Sequence, residues 1–292
     1  MRSRWLVNLG LLLLIIGISV FLHLRSTPQT AAQAAYEIST LKLGSVNKLS
    51  IEFPAKAPLV FEKKDGYWHI AQPYKARADL MSVARVLSIV AATSTDKFPS
   101  TDLARFGLDS PKLKLKLNDE EFLFGTYNPV SSDQYVAYKD AVYLISPIYS
   151  ESAAVQVVEF IDKSPIKPTE KIVGFDLSRL EQWQAVRLNV DMVDGKWKAS
   201  VPNAKPGQDD MNAWLEGGWI HASATSVEPY TPDRKATYPS LEIKLKDGSK
   251  VHFDKIQESP ELILGRPDEG ISYHFPQDAG FTMLNPPIGL AK

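Results

Sequence analysis

The chain has 292 residues, 44% hydrophobic and 23% charged, with a net charge of −1 and no cysteine. Such a length allows about two domains of roughly 100–200 residues each, and the composition supports a sizeable core. The near-zero charge leaves no global field to recruit nucleic acid, and the absence of cysteine removes disulfides, thiolate metal sites, cysteine nucleophiles and a lipoprotein anchor.

Residues 5–24 form one apolar run without a charge, from Trp5 through the leucine stretch Leu11-Leu12-Leu13-Leu14 to Leu24. About twenty residues suffice to cross a hydrocarbon core of roughly 30 Å as a helix. Arg2 and Arg4 precede the run and only Arg25 follows it closely, so the short basic tail is expected inside and the body outside. A cleaved signal peptide is the competing reading. Ala32-Gln33-Ala34 resembles a cleavage site but lies well beyond the run, which favours an uncleaved anchor. The expected layout is a cytoplasmic tail and transmembrane anchor at 1–25 and a tether at 26–40.

The body is expected as two diverged copies of one strand-rich unit, at 41–162 and 172–285, joined by a linker at 163–171 and followed by a tail at 286–292. Asp65-Gly66-Tyr67-Trp68 recurs as Asp194-Gly195-Lys196-Trp197, and the alternating segment at 111–117 recurs at 239–245. Two landmarks in one order and at nearly one offset (65 to 194, 111 to 239) point to an internal repeat.

In the first copy, Leu49, Ile51 and Phe53 alternate as in a strand, and Leu59–Glu62 and Tyr67–Ile70 flank an Asp-Gly turn that predicts a hairpin. Asp79 is a candidate helix N-cap, with Leu80, Val83, Ala84, Leu87 and Val90 at helical spacing. Phe106-Gly107-Leu108 and Pro111 precede Leu113, Leu115 and Leu117, which alternate with lysines in a strand with one wet face. Phe122–Gly125 pairs with it, and a second hairpin turns at Lys139-Asp140. Pro147 opens a closing helix with Val155, Val158 and Phe160 on its apolar side. Pro165 and Pro168 mark a stiff connector.

The second copy repeats this order. Val186, Leu188 and Val190 stand for one strand and Lys196–Lys198 for the next. Asp209 or Asp210 caps a helix carrying Met211, Trp214, Leu215 and Trp219, weakened by Gly217-Gly218. Strands follow at 241–245, 262–265, 271–275 and 281–284, and Asn285-Pro286-Pro287 ends ordered structure. The fold class is therefore α+β, with mostly antiparallel sheets each carrying a packed helix.

These motifs in this order resemble the membrane-anchored proteins of the uncharacterised domain-of-unknown-function family 4340. The resemblance rests on Asp65-Gly66-Tyr67-Trp68, Pro73, the Asp79 helix, Phe106-Gly107-Leu108, Pro111, Phe124-Gly125, Tyr135-Val136 and Val142-Tyr143-Leu144. It implies a bacterial protein with one N-terminal anchor; some members are encoded near ABC-type transporters linked to gliding motility. It implies no catalytic residues.

No constellation of the sequence carries chemistry. The histidines (His23, His69, His221, His252, His274) form no i, i+4 pair and no His-Glu-x-x-His. Ser39-x-x-Lys42 and Ser45-x-x-Lys48 lack a helix start and partner motifs. Asp119-Glu120-Glu121 reads as a solvated turn and Asp209-Asp210 as a helix start; no phosphate-binding glycine loop occurs. Trp68 and Trp197, at equivalent positions, are expected in each copy's core. Trp214 and Trp219 fall about 140° apart on a helix, so one is expected to face a partner. The loop containing Tyr127 and Asn128 is the most site-like irregular segment. Partner contact is therefore assigned to Trp214, Trp219, Tyr127 and Asn128, with no catalytic, cofactor or metal residue.

The expected function is a non-catalytic accessory or scaffold protein, anchored in the bacterial inner membrane by residues 5–24 with its body in the periplasm. It would contact envelope or transporter-associated proteins and no nucleic acid. Two alternatives are a cell-wall or polysaccharide-binding module built on exposed aromatics and a hydrolase with a scattered active site.

Overall fold

The computed structural model describes residues 35–233 and 235–289. The apolar run at 5–24 and the tether up to residue 34 lie outside them. Among the described residues no helix is long and apolar enough to cross a membrane.

The first half builds a nine-stranded antiparallel sheet. Its elements in chain order are β1 (Tyr36–Glu37), β2 (Lys48–Glu52), β3 (Leu59–Lys64), β4 (Tyr67–Gln72), β5 (Ala76–Arg77), α1 (Leu80–Leu87), β6 (Thr93–Ser94) and β7 (Lys97–Pro99). They continue with β8 (Leu113–Leu117), β9 (Glu120–Tyr127), β10 (Gln134–Tyr138), β11 (Ala141–Ile145) and α2 (Ile148–Ala153). The sheet order is β5-β4-β3-β2-β8-β9-β10-β11-β7, with β1 and β6 paired beside it.

The second half builds an eight-stranded sheet. It comprises β12 (Ile172–Arg179), α3 (Glu181–Gln184), β13 (Asn189–Val193), β14 (Lys196–Ala199), α4 (Gln208–Leu215) and β15 (Ser226–Pro229). Then come β16 (Ser240–Leu245), β17 (Lys250–Gln257), β18 (Glu261–Arg266), β19 (Ile271–Pro276) and α5 (Gln277–Leu284). The order is β14-β13-β12-β16-β17-β18-β19-β15. Apart from the extra edge strand β5, the two sheets have the same connectivity, strand for strand. The body is α+β and strand-rich, as its patterning predicts.

Local chemistry explains the recurring parts. Asp65 and Gly66 (φ 51° and 85°), like Asp194 and Gly195 (φ 52° and 73°), both take the left-handed conformation that a two-residue hairpin turn needs. Each turn puts a tryptophan second in the next strand, and both Trp68 and Trp197 are buried. In β8, Leu113, Leu115 and Leu117 are buried and the lysines between them are not. Outer strands β7 and β15 both end in proline, which cannot donate to a further strand. At the other edge of the second sheet, the Gln208 side chain accepts from Trp197 N–H at 2.7 Å and donates to Trp197 C=O at 3.1 Å. It satisfies the edge as a neighbouring strand would.

The Phe106-Gly107-Leu108 motif also has a physical reason. A Cβ on Gly125 would lie 2.2 Å from the Phe106 carbonyl oxygen, so only glycine lets this loop lie flat on β9. The Thr126 hydroxyl donates to the same carbonyl at 3.0 Å. Phe98, Phe106 and Tyr135 then pack, rings tilted to one another, into a small apolar cluster separate from the main core.

Several expectations are corrected. Asp79 does cap α1, accepting from Ser82 N–H at 2.7 Å, but Leu80 and Met81 are exposed, Leu80 at the edge of a surface cleft. The helix after Pro147 stops at Ala153, leaving Val155 exposed, while Phe160 follows in a separate turn packed edge-on against Phe61. The strand expected from Val186 begins at Asn189, and Val186 is exposed. Neither Asp209 nor Asp210 caps α4: Gly207 is its N-cap and both acids sit in the first turn, where they complement the helix dipole. Residues 281–284 belong to helix α5. Its Gly280, Met283 and Leu284 are buried at helical spacing, and Gly280 presses on Leu262 of β18. Residues 286–289 remain packed, with Ile288 buried and Gly289 C=O accepting from Lys205 N–H. Residues 36–40, expected in the tether, pair with β6 and bury Ile38.

Candidate functional site

The site-like feature of this fold lies where the first sheet, the connector and the second sheet meet. A cleft of about 560 Å³ is walled by the β3–β4 turn, by β5 with the start of α1, and by Asp162 and Lys167–Thr169 of the connector. Tyr67 and Leu80 stand exposed at its mouth.

Arg77 forms the floor. Its backbone C=O accepts from Asp162 N–H, and Asp79 N–H donates to Phe160 C=O at 2.7 Å, so the chain at 77–79 is stitched to the segment that leads into the connector. The Arg77 guanidinium then donates to Asp162, to the Ser164 carbonyl, to Glu269 at 2.8 Å and to the Tyr273 hydroxyl at 3.2 Å. One side chain thus ties the first sheet, the connector and β19. Behind it, Arg266 is 0% exposed. It donates to the Pro165 carbonyl at 2.7 Å, to Glu170 at 3.0 Å and to Asp268 at 3.0 Å. Lys167 lies 3.4 Å from Glu269. Ala224 N–H adds a bond to the Lys163 carbonyl at 2.9 Å.

The electrostatics follow from this packing. Burial works against the charge on Arg77 and Arg266, but their carboxylate partners overcome it and hold both guanidiniums more firmly protonated than usual. Burial would also raise the Glu269 carboxyl; Arg77 and Arg266 outweigh it and pull the value below the usual range. Asp268 is lowered against its burial by Arg266. Tyr273 is pushed up by burial and by Glu269, so it stays a hydrogen-bond donor, at 2.8 Å to that carboxylate. Every charge taken out of water here has a partner, which is the condition for keeping it buried.

Two carboxylates of the cleft are already engaged. Asp79 is used as a helix cap, and Asp162 by Arg77 and Ser164 N–H. Among the described residues no group of three histidine, aspartate or glutamate side chains could hold a metal ion. His69 lines the cleft, its Nδ1 3.1 Å from the Tyr67 carbonyl oxygen; elsewhere His252 faces Asp254, which also accepts from the Tyr230 hydroxyl at 2.8 Å, and His274 sits between Glu261 and Glu228. Both groups lie on the second sheet, away from the cleft lining.

The residues assigned to partner contact are not brought together. Trp214 and Trp219 are buried, and neither indole faces out, which corrects that expectation. Their N–H groups donate to the carbonyls of Thr282 (2.7 Å) and Met283 (3.3 Å), and Trp183 donates to Leu284 (2.9 Å). Three tryptophans thus donate to the last carbonyls of α5, of which Thr282 C=O also accepts from Asn285 N–H. A helical wheel misses this because the helix converts at Glu216 to a wider turn through Gly217-Gly218, rotating Trp219 inward beside Trp214 and against Phe175. Tyr127 is exposed on the first sheet, and Asn128 is spent holding its own loop.

Sequence reasoning missed the ionic centre. One signal was available: Leu262, Leu264 and Arg266 alternate along β18, which sends the arginine to the core face with the leucines.

Residues 68–227, more than half of the chain, match the family described as a domain of unknown function (DUF4340). The chain belongs to this family. The matched span runs from β4 through β15 and includes Arg77, the connector and one wall of the cleft. No curated protein and no solved structure matches the chain.

Proposed function

We propose that this DUF4340 protein is a non-catalytic, membrane-anchored envelope protein in which two diverged copies of one unit act as a single body to hold a protein partner. The anchor is the uncharged run at 5–24; its flanking arginines favour a cytoplasmic N-terminus and a periplasmic body. The matching strand orders of the two sheets support the duplication. An accessory or scaffold role in a transporter-associated complex is the corresponding place for it.

The observation that carries this reading is the junction cleft. Arg77, Asp162 and Lys167 of its lining are engaged in fixing the two halves, while Tyr67, Leu80 and Met81 remain exposed beside it. Aromatic and apolar side chains on a rigid rim are what a protein interface uses as anchors. Against the sugar-binding alternative, Trp68, Trp197, Trp214 and Trp219 are all buried and Trp183 is spent on α5, which leaves it only exposed tyrosines such as Tyr67 and Tyr127.

The test is site-specific photo-crosslinking in membranes of the native host. A crosslinker at Tyr67 should capture one discrete membrane or envelope protein, and one at Val193, exposed on the second sheet, should not. Indistinguishable capture at both positions would reject the cleft as the partner site.

A further inference from the structure

We infer that one end of the first sheet, carrying the loop Tyr127–Asp133, rests on the bilayer surface. This deepens the membrane-anchored reading and depends on it.

Strand pairing fixes which loops share that end. β2 and β3 pair Ile51 with Leu59, β9 and β10 pair Tyr127 with Gln134, and β10 and β11 pair Gln134 with Ile145. The β2–β3 loop with Lys56, the Tyr127–Asp133 loop and the start of α2 at Ile148 therefore lie together. The turns at Asp65-Gly66, Asn118-Asp119 and Lys139-Asp140 lie at the opposite end.

The chain enters the body from the first of these ends. Tyr36 pairs with Ser94, whose hydroxyl donates to Leu144 near the top of β11. Ser39 then reaches the Tyr138 hydroxyl at the bottom of β10. Asn118, in the far turn, holds Asn47 and Ser45. β1 thus runs away from the Tyr127 end, which places that end toward whatever precedes it. Only residues 25–35 separate the apolar run from β1, and even fully extended they reach about 40 Å. The body cannot stand far off.

The chemistry of this end fits an interface. Val130 is 93% exposed at the tip of its loop, and Tyr127 and Ile148 are exposed beside it. The loop is held rigidly for its size: Asn128 Oδ1 accepts from Val130 N–H at 2.8 Å, and Asn128 N–H and C=O bond to Asp133 and Ser132. An apolar tip presented on a fixed loop loses little entropy when it is covered. Lys112 sits over the Tyr127 ring at 5.5 Å and Lys56 over Phe53 at 5.5 Å. Tyrosine at headgroup depth, with lysine stems lying along it, is the pairing that membrane interfaces favour. Lys56, Lys75 and Lys112 are matched in number by Asp109, Asp133 and Glu151, so the contact needs no anionic lipid.

The absence of cysteine makes the test direct. The full-length chain is reconstituted in phosphatidylcholine vesicles containing nitroxide-labelled lipid, with a fluorophore on Val130→Cys or on Leu43→Cys, an exposed position at the opposite end. Quenching several-fold stronger at 130 than at 43, and unchanged in high salt, is expected. Equal quenching at both positions in protein that stays with the vesicles after alkaline extraction would overturn this inference alone, as would quenching lost in salt. Release of the protein from the vesicles would overturn the anchor and this inference with it.

Discussion

The two sheets share one strand order and differ in what closes their ends. At the last residue of β10 the first sheet has Tyr138, stacked on Phe122 with centroids 4.5 Å apart. At the corresponding last residue of β18 the second sheet has Arg266, buried among carboxylates and a carbonyl. The first position seals a core within one unit. The second faces the connector, and its charge grips a chain segment that carries its own polar backbone. Likewise the Asp65-Gly66 turn walls the cleft while its counterpart at Asp194-Gly195 does not. Shared sheet pattern sets architecture, and the unshared ends decide how the halves are joined.

The sharpest way to break the comparison is Arg266→Ala. Removing one partner of a buried ion pair strands the others, and a loss of about 3–5 kcal/mol in urea unfolding is expected. Arg266→Lys should recover little, because Lys cannot supply the same planar fork. If both variants unfold like the parent chain, the junction does not hold the halves.

Trp219→Phe probes the second sheet's own closure. It keeps the ring against Phe175 and Phe253 but removes the donor to Met283 and part of a buried side chain. A loss of about 1–3 kcal/mol is expected, with the C-terminal helix protected less against hydrogen exchange. Trp68→Phe should leave α5 exchange unchanged.

Acid should separate the halves before it melts either sheet. The folded Glu269 and Asp268 carboxyls lie below their ordinary values of 4.5 and 3.8. Groups lowered in the folded state contribute stability that is present above the unfolded value and lost as pH falls through the folded one. Stability should therefore decline below about pH 4.5, and Glu269→Gln should flatten that decline. An unchanged pH profile in the variant would remove Glu269 as its source.

The smallest expected effect compares the two helix starts. Asp79→Ala should cost about 1 kcal/mol by losing the Ser82 cap. The start of α4 has Gly207 instead of a capping side chain, so replacing either Asp209 or Asp210 by Asn should cost only about 0.3–1 kcal/mol, and less in salt.

Much of this was legible in the chain, for local reasons. Hairpin turns at Asp65-Gly66 and Asp194-Gly195 are written in residues that tolerate positive φ, the β8 lysine–leucine alternation has the period of a strand, and the Asp79 cap precedes a helical stripe. The strand order that the two sheets share was foreshadowed by the same turns. The helical identity of α5 was not, because Phe281, Met283 and Leu284 fit a short strand as well as a helix, and only packing against β18 and β19 chooses between them. The tryptophans were misjudged because a wheel assumes one uniform pitch, which Gly217-Gly218 interrupts. Of the candidate site, the sequence showed the hairpin turn and the prolines of the connector. It could not show that Arg77, Asp162 and Glu269 converge, since Arg77 and Glu269 are 192 positions apart.

By itself, then, the sequence determined what depends on neighbours along the chain: turns, caps, strand faces, the repeat, and the uncharged run that motivates an anchor. Tertiary structure decided which charges are buried and which aromatics are free. Those outcomes depend on desolvation and partners supplied from distant strands, and no local pattern encodes which distant group will satisfy a buried guanidinium.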